Sequence, residues 1–80
     1  MKAIVNVFLK NGVLDSQGKA VQHALVGHGF STVSDVRVGK QIIIEMNETN
    51  TESAKAKVVQ MCEDLLANTV IEDYTIEIQA

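Results

Sequence analysis

The sequence predicts an α+β domain with four strands and two helices in the order β-α-β-β-α-β. Three observations carry this expectation. Runs rich in β-branched residues occupy residues 2–9, about 32–47 and about 70–79. Apolar residues recur at helical spacing after Asp15 and again after Thr49. Eighty residues leave room for one core, so a single domain over 1–80 is expected.

The first strand, KAIVNVFL (2–9), carries hydrophobes on both alternate faces, as a central strand does. Lys10-Asn11-Gly12 breaks it, and Asp15 or Ser16 can cap a helix whose apolar stripe is Ala20, Val21, Ala24 and Leu25. Gly27 and Gly29 end that helix. Two strands, about 32–38 and 41–47, are then hinged at Gly39-Lys40. A two-residue turn would set Val38 against Gln41. A three-residue loop, Gly39-Lys40-Gln41, keeps Val36, Val38, Ile42, Ile44 and Met46 on one face and is the preferred register. In the second helix Thr49 and Glu52 read as a capping box, with Thr51 as an alternative cap. Ala54, Val58, Met61 and Leu65 form its stripe, flanked by Cys62 and Leu66, and Asn68 closes it. The last strand alternates Tyr74, Ile76 and Ile78 with Asp73, Thr75 and Glu77, so one face is buried.

This order corresponds to a ferredoxin-like plan, a four-stranded antiparallel sheet with both helices on one face. The other face is left open. With Val5 and Val7 toward the helices, Ile4, Asn6 and Phe8 point away from them, as does Ile43. Large hydrophobes on an open sheet face mark Ile4, Phe8 and Ile43 as an expected oligomer interface.

Composition narrows the function. The chain is 46% hydrophobic and 21% charged, which suits a globular domain. A net charge of −3 argues against a phosphate-binding surface for nucleic acid. Three aromatics, Phe8, Phe30 and Tyr74, are too few for a base-stacking platform. The lone Cys62 has no disulfide partner, and the start of the chain lacks a charged-then-apolar secretory pattern. A cytoplasmic protein that binds neither membrane nor nucleic acid is the expectation.

No group is arranged for catalysis. Cys62 lies late in a helix, far from the N-terminal dipole that lowers a thiol pKa, and has no CxxC partner. His23 and His28 stand about 140° apart on a 3.6-residue helix, so they do not converge on a metal. Glu63, Asp64, Glu72, Asp73 and Glu77 fit solvated faces or contacts to a basic partner. Gly12, Gly18 and Lys19 flank a helix start, but their spacing matches neither GxGxxG nor GxxxxGK[ST]. Arg37 and Lys40 flank the hairpin tip. An acylphosphatase-type anion cradle would need an Arg in the loop from Lys10 to Gly18, and there is none.

Three segments, LKNGVLDSQGKAVQHAL (9–25), DVRVGKQIIIEM (35–46) and MCEDLLANTVIEDYTIEI (61–78), resemble the PurS subunit family of phosphoribosylformylglycinamidine (FGAM) synthase. They cover more than half the chain in the right order. The sequence departs from the family pattern at Ser16 and Thr69, where Pro is usual. The resemblance implies an accessory subunit of a ligase complex in de novo purine biosynthesis, which converts FGAR to FGAM with glutamine and ATP. It implies no activity from this subunit alone and no cofactor bound to it, the ATP and Mg being used by the whole complex. The implied partners are a synthetase (PurL-type) subunit and a glutaminase (PurQ-type) subunit, bridged by a homodimer or tetramer that assists ammonia transfer. Val13, Leu14, Asp15, Gln17 and Gly18 in the first loop, with Arg37, Gly39 and Lys40 at the hairpin tip, are then the expected partner-binding residues. Turn and cap chemistry is the competing explanation for Asp15, Gly18 and Gly39. The alternative function is a ferredoxin-like dimeric module that binds a small regulatory molecule.

Overall fold

The computed structural model describes residues 1–80. Its elements are β1 (Lys2–Leu9), α1 (Ser16–Gly27), β2 (Lys40–Glu45), α2 (Thr51–Met61) and β3 (Glu72–Gln79). A five-residue π turn, Cys62–Leu66, extends α2. The three strands form one antiparallel sheet in the order β2-β1-β3. β1 is therefore central, as its two-faced hydrophobicity requires. Its residue Val5 stands opposite Ile42 on one side and Ile76 on the other.

The sheet has three strands where four were expected. Residues 32–39 form no strand, and no hairpin pairs them with 41–47. The segment is instead held by side chains of the first loop and α1. Val38 N donates to the Asp15 carboxylate at 2.8 Å, and Gln22 Nε2 donates to Ser34 O at 2.8 Å. Those contacts aim it at α1, so the register drawn through Val36 and Val38 does not occur. Ile42, Ile44 and Met46 do share the core-facing side of the sheet.

The core is small. Ala3, Val5 and Val7 of β1 pack with Val58 and Cys62, and Ala54 of α2 is buried as well, all at most 1% exposed. Tyr74, Ile76 and Ile78 flank this line on β3, and Ile42 and Ile44 flank it on β2. α2 lies over β1 and β3.

Two details of α2 correct the sequence reading. Its N-cap is Asn50, whose Oδ1 accepts from Ser53 N at 3.0 Å, in place of Thr49 or Thr51. Asn is the better cap of the three, because its short amide reaches the free N–H with little strain. The core-facing stripe is Ala54, Val58 and Cys62, which are buried, with Leu66 and Met61 partly buried beside them, and Leu65 is 83% exposed. The π turn explains the shift. Ala67 N bonds to Cys62 O five residues back, which widens the turn and delays each residue's rotation about the axis. Leu66 thereby takes the position that Leu65 would hold in a regular helix.

α1 stands apart from this core. It makes no extended contact with the sheet or with α2. Only Gly18 of its twelve residues is buried. Its end follows the residue pattern closely: Gly29, at φ +97°, lets Phe30 N reach Leu25 O at 3.0 Å and Gly29 N reach Val26 O at 3.1 Å. The molecule is drawn out to 49 × 26 × 14 Å. Its radius of gyration is 16.1 Å, against about 12 Å for a compact domain of this length.

Candidate functional site

The neck that joins α1 to the sheet gathers most of the residues singled out in the sequence. Asp15 is its hub. As N-cap of α1, one carboxylate oxygen accepts from Gly18 N at 2.7 Å, and the other accepts from Val38 N at 2.8 Å. One residue thus starts the helix and fastens the returning chain beside it. The hydrogen bonds from Val38 and from Gly18 hold its carboxyl below the ordinary value of 3.8, and the nearby Arg37 charge adds to this against the effect of burial.

Arg37 completes the neck. Its guanidinium donates to Val13 O at 3.1 Å, Lys10 O at 3.2 Å and Leu9 O at 3.5 Å. A planar fork with five donors suits several carbonyls of one loop. Arg37, expected to meet a partner, thus has a structural task within the chain. Gly18 and Gly39 also have steric reasons to be glycine. A Cβ on Gly18 would lie 2.1 Å from Val36 O, and one on Gly39 would lie 2.8 Å from Val7 O.

Two shallow clefts flank the neck. One, of about 350 Å³, is lined by Val13, Leu14, Lys19, Asp35 and Arg37 among others. The second runs past Phe8, Gln17, Gly39, Lys40 and Glu72. Asp15 touches both. The structure therefore brings together all eight expected partner-binding residues, Gly18 being packed beneath the neck. Among these, Leu14 is a large apolar side chain left 72% exposed. Asp15 and Arg37 already spend their bonding capacity on the backbone, which leaves Leu14, Gln17, Lys19 and Lys40 as the outward-facing groups.

The expected oligomer interface lies elsewhere. Ile4 and Ile43 are directly paired on the sheet face away from α2, and Phe8 sits on the same face, 39% exposed. A polar row runs between them. Gln41 Nε2 donates to Asn6 Oδ1 at 3.1 Å, and Asn6 Nδ2 donates to Thr75 Oγ1 at 3.4 Å. That row, invisible in the sequence because its members lie on three strands, divides the apolar surface.

The remaining candidates are structural. Cys62 is fully buried, and burial followed by the Glu63 charge pushes its thiol pKa up, away from a nucleophilic thiolate. His28 caps α1, its N–H shared between Ala24 O and Leu25 O, while His23 is exposed. Tyr74 donates its hydroxyl to Glu63 Oε2 at 2.8 Å, and this bond, with lesser burial and charge effects, pushes its pKa up to about 12. The pairing went unnoticed in the sequence, since Glu63 and Tyr74 lie on different elements.

Comparison with known proteins accounts for the whole chain. The family model described as "PurS: Phosphoribosylformylglycinamidine (FGAM) synthase" matches residues 2–80. The chain is 47% identical to the phosphoribosylformylglycinamidine synthase subunit PurS of Bacillus subtilis over 78 residues, covering 98% of this chain and 92% of the relative. It is 45% identical to the same subunit of Methanocaldococcus jannaschii over 78 residues, covering 98% and 94%. The solved M. jannaschii PurS superposes with a TM-score of 0.89 and 46% identity, covering 98% and 94% of the two chains. A chain in the structure of PurLQS from Thermotoga maritima does so at 0.86 and 32% identity, covering 95% and 93%. A chain matched over residues 2–80 by the family model, and over 98% of its length by relatives in both sequence and fold, belongs to the PurS family of FGAM synthase.

Proposed function

We propose that this chain is the small accessory subunit of FGAM synthase, which joins a PurL-type synthetase to a PurQ-type glutaminase and helps ammonia pass between them. One observation carries the reading: residues 2–80 match the PurS family, and the same fold occurs in the PurLQS structure. The neck fits such a role. Its charged groups hold the backbone in place, and Val13, Leu14, Gln17 and Lys40 are carried on that framework as contact residues. In this reading the subunit works in the cytoplasm as a homodimer or tetramer, and ATP and Mg act on the larger subunit. The segment 32–38, unpaired within one chain, is the natural fourth strand of the ferredoxin-like plan once a second copy is present.

Reconstitution tests the proposal. Added to purified synthetase and glutaminase subunits, the chain should restore glutamine-dependent FGAM formation while leaving synthesis from free ammonia unchanged. Leu14→Asp should weaken that restoration at least tenfold, because a desolvated carboxylate opposes docking. Glutamine-dependent turnover that is identical with and without the wild-type chain would overturn the proposal.

A further inference from the structure

The turn between α2 and β3 presents the two most exposed large apolar side chains of the protein. Leu65 is 83% exposed and Val70 is 82% exposed. Local structure fixes both. The π turn that carries Leu66 inward leaves Leu65 outward, and such widened turns recur at functional sites. Val70 is held out by Asn68, whose Oδ1 accepts from Val70 N at 3.2 Å and whose carbonyl accepts from Ile71 N at 3.0 Å and Glu72 N at 2.7 Å. Glu72 closes the loop, its Oε1 accepting from Asn68 N at 2.7 Å. Backbone fixed in this way has little freedom left to lose on docking.

Charge says what covers them. Residues 61–80 hold Glu63, Asp64, Glu72, Asp73 and Glu77 and no Lys or Arg. Asp73 pairs with Lys10 at 3.0 Å, and no cation stands within ion-pair distance of Glu63, Asp64 or Glu72. The apolar pair therefore sits among uncompensated carboxylates. A second copy docked symmetrically on this turn would set those carboxylates against one another. A basic surface around an apolar recess complements both features. The turn is also continuous with the neck: Ile71 O accepts from Lys10 N at 2.8 Å, and Glu72 lines the cleft that runs past Gln17 and Lys40.

We infer that Leu65 and Val70 are a docking anchor for a protein surface in which an apolar pocket is edged by Lys and Arg, carried by one of the larger synthase subunits. This rests on the accessory-subunit reading and deepens it. The contact surface extends from the neck onto the α2–β3 turn, and the partner's charge there is specified. Leu65 and Val70 supply the area desolvated on contact. Glu63, Asp64 and Glu72 steer the approach.

Titrating the full chain into the two larger subunits tests this, with glutamine-dependent synthesis as the readout. The chain carrying both Leu65→Ser and Val70→Ser should need about tenfold more protein for half-maximal restoration. Its thermal midpoint and its mass by light scattering should stay those of the wild type, since both side chains are already exposed. Asp64→Lys should slow association with the larger subunits, immobilised together, by about tenfold at low salt. It should also flatten the fall of that rate with ionic strength. If the serines lower the midpoint, Asp64→Lys decides alone. Three results would each overturn the anchor: wild-type restoration by a stable double variant, association unslowed by Asp64→Lys or by salt, or a changed mass for the double variant, which would make the turn a contact between copies. In the first case the wild type still restores synthesis, so the anchor fails and the subunit reading stands. A wild type that binds neither larger subunit and restores nothing would sink the subunit reading, and the anchor with it.

Discussion

Asp15 shows how one side chain fixes more than its own helix. Its role as a cap was legible because a short acidic residue before an apolar helical stripe satisfies a free N–H. Its second bond, to Val38, was not legible, since that partner lies 23 residues away. Because the folded pKa of Asp15 is lowered, its contribution to stability is fully present above the ordinary 3.8 and is lost as pH falls through the lower folded value. Acid titration of the thermal midpoint should show that loss in the wild type. Asp15→Asn should be less stable at neutral pH and should lose less of its midpoint than the wild type across the same acid range. Tyr74 has the opposite sign. Its raised pKa favours the protonated form in the fold, so its contribution is complete below pH 10 and disappears as pH climbs toward about 12. It is the only Tyr in a chain without Trp, so tyrosinate absorbance reads it directly. Glu63→Gln should bring that titration back toward 10, whereas an unmoved titration would remove the hydrogen bond from the account.

At the scale of elements, the two helices differ in how far their sequences determine them. α1 begins at a good cap and ends where Gly29 can adopt a positive φ, so its limits were readable at both ends. Gly29→Ala should cost about 1 kcal/mol, because a Cβ disfavours the left-handed conformation. α2 was recognised by its stripe, but the stripe was drawn one residue short at its end. Regular 3.6-residue spacing puts Leu65 in line with Val58. The π turn over Cys62–Leu66 breaks that spacing and brings Leu66 in. Leu66→Ala should therefore destabilise the fold by about 2 kcal/mol and Leu65→Ala by about 0.5 kcal/mol or less, as measured by denaturant unfolding. Equal costs would mean that the helix is regular in solution. The strand expected at 32–38 failed for a related reason. Its residues have suitable β propensity, but pairing depends on what lies alongside, and the Asp15 and Gln22 side chains hold this segment next to α1.

As a whole molecule the chain is extended, 49 Å along its longest axis and 14 Å along its shortest. Eight of its 80 residues are buried, a thin core even for a small domain. Stability should consequently depend on association, so tenfold dilution should lower the thermal midpoint by about 2–4 °C, as binding linkage requires. A midpoint independent of concentration would show that one chain carries its full stability. The sequence by itself determined which residues face the core of each strand, which strand is central, where α1 starts and stops, and which family the chain resembles. Each of these depends on residue type and short spacing, so each is written locally. Only the tertiary structure decided that the sheet has three strands, that the eight loop and tip residues meet at one neck, and that α1 leaves the sheet uncovered. Those outcomes depend on hydrogen bonds and packing between residues distant in sequence, where a single carboxylate at Asp15 redirects a segment whose own residues would have formed a strand.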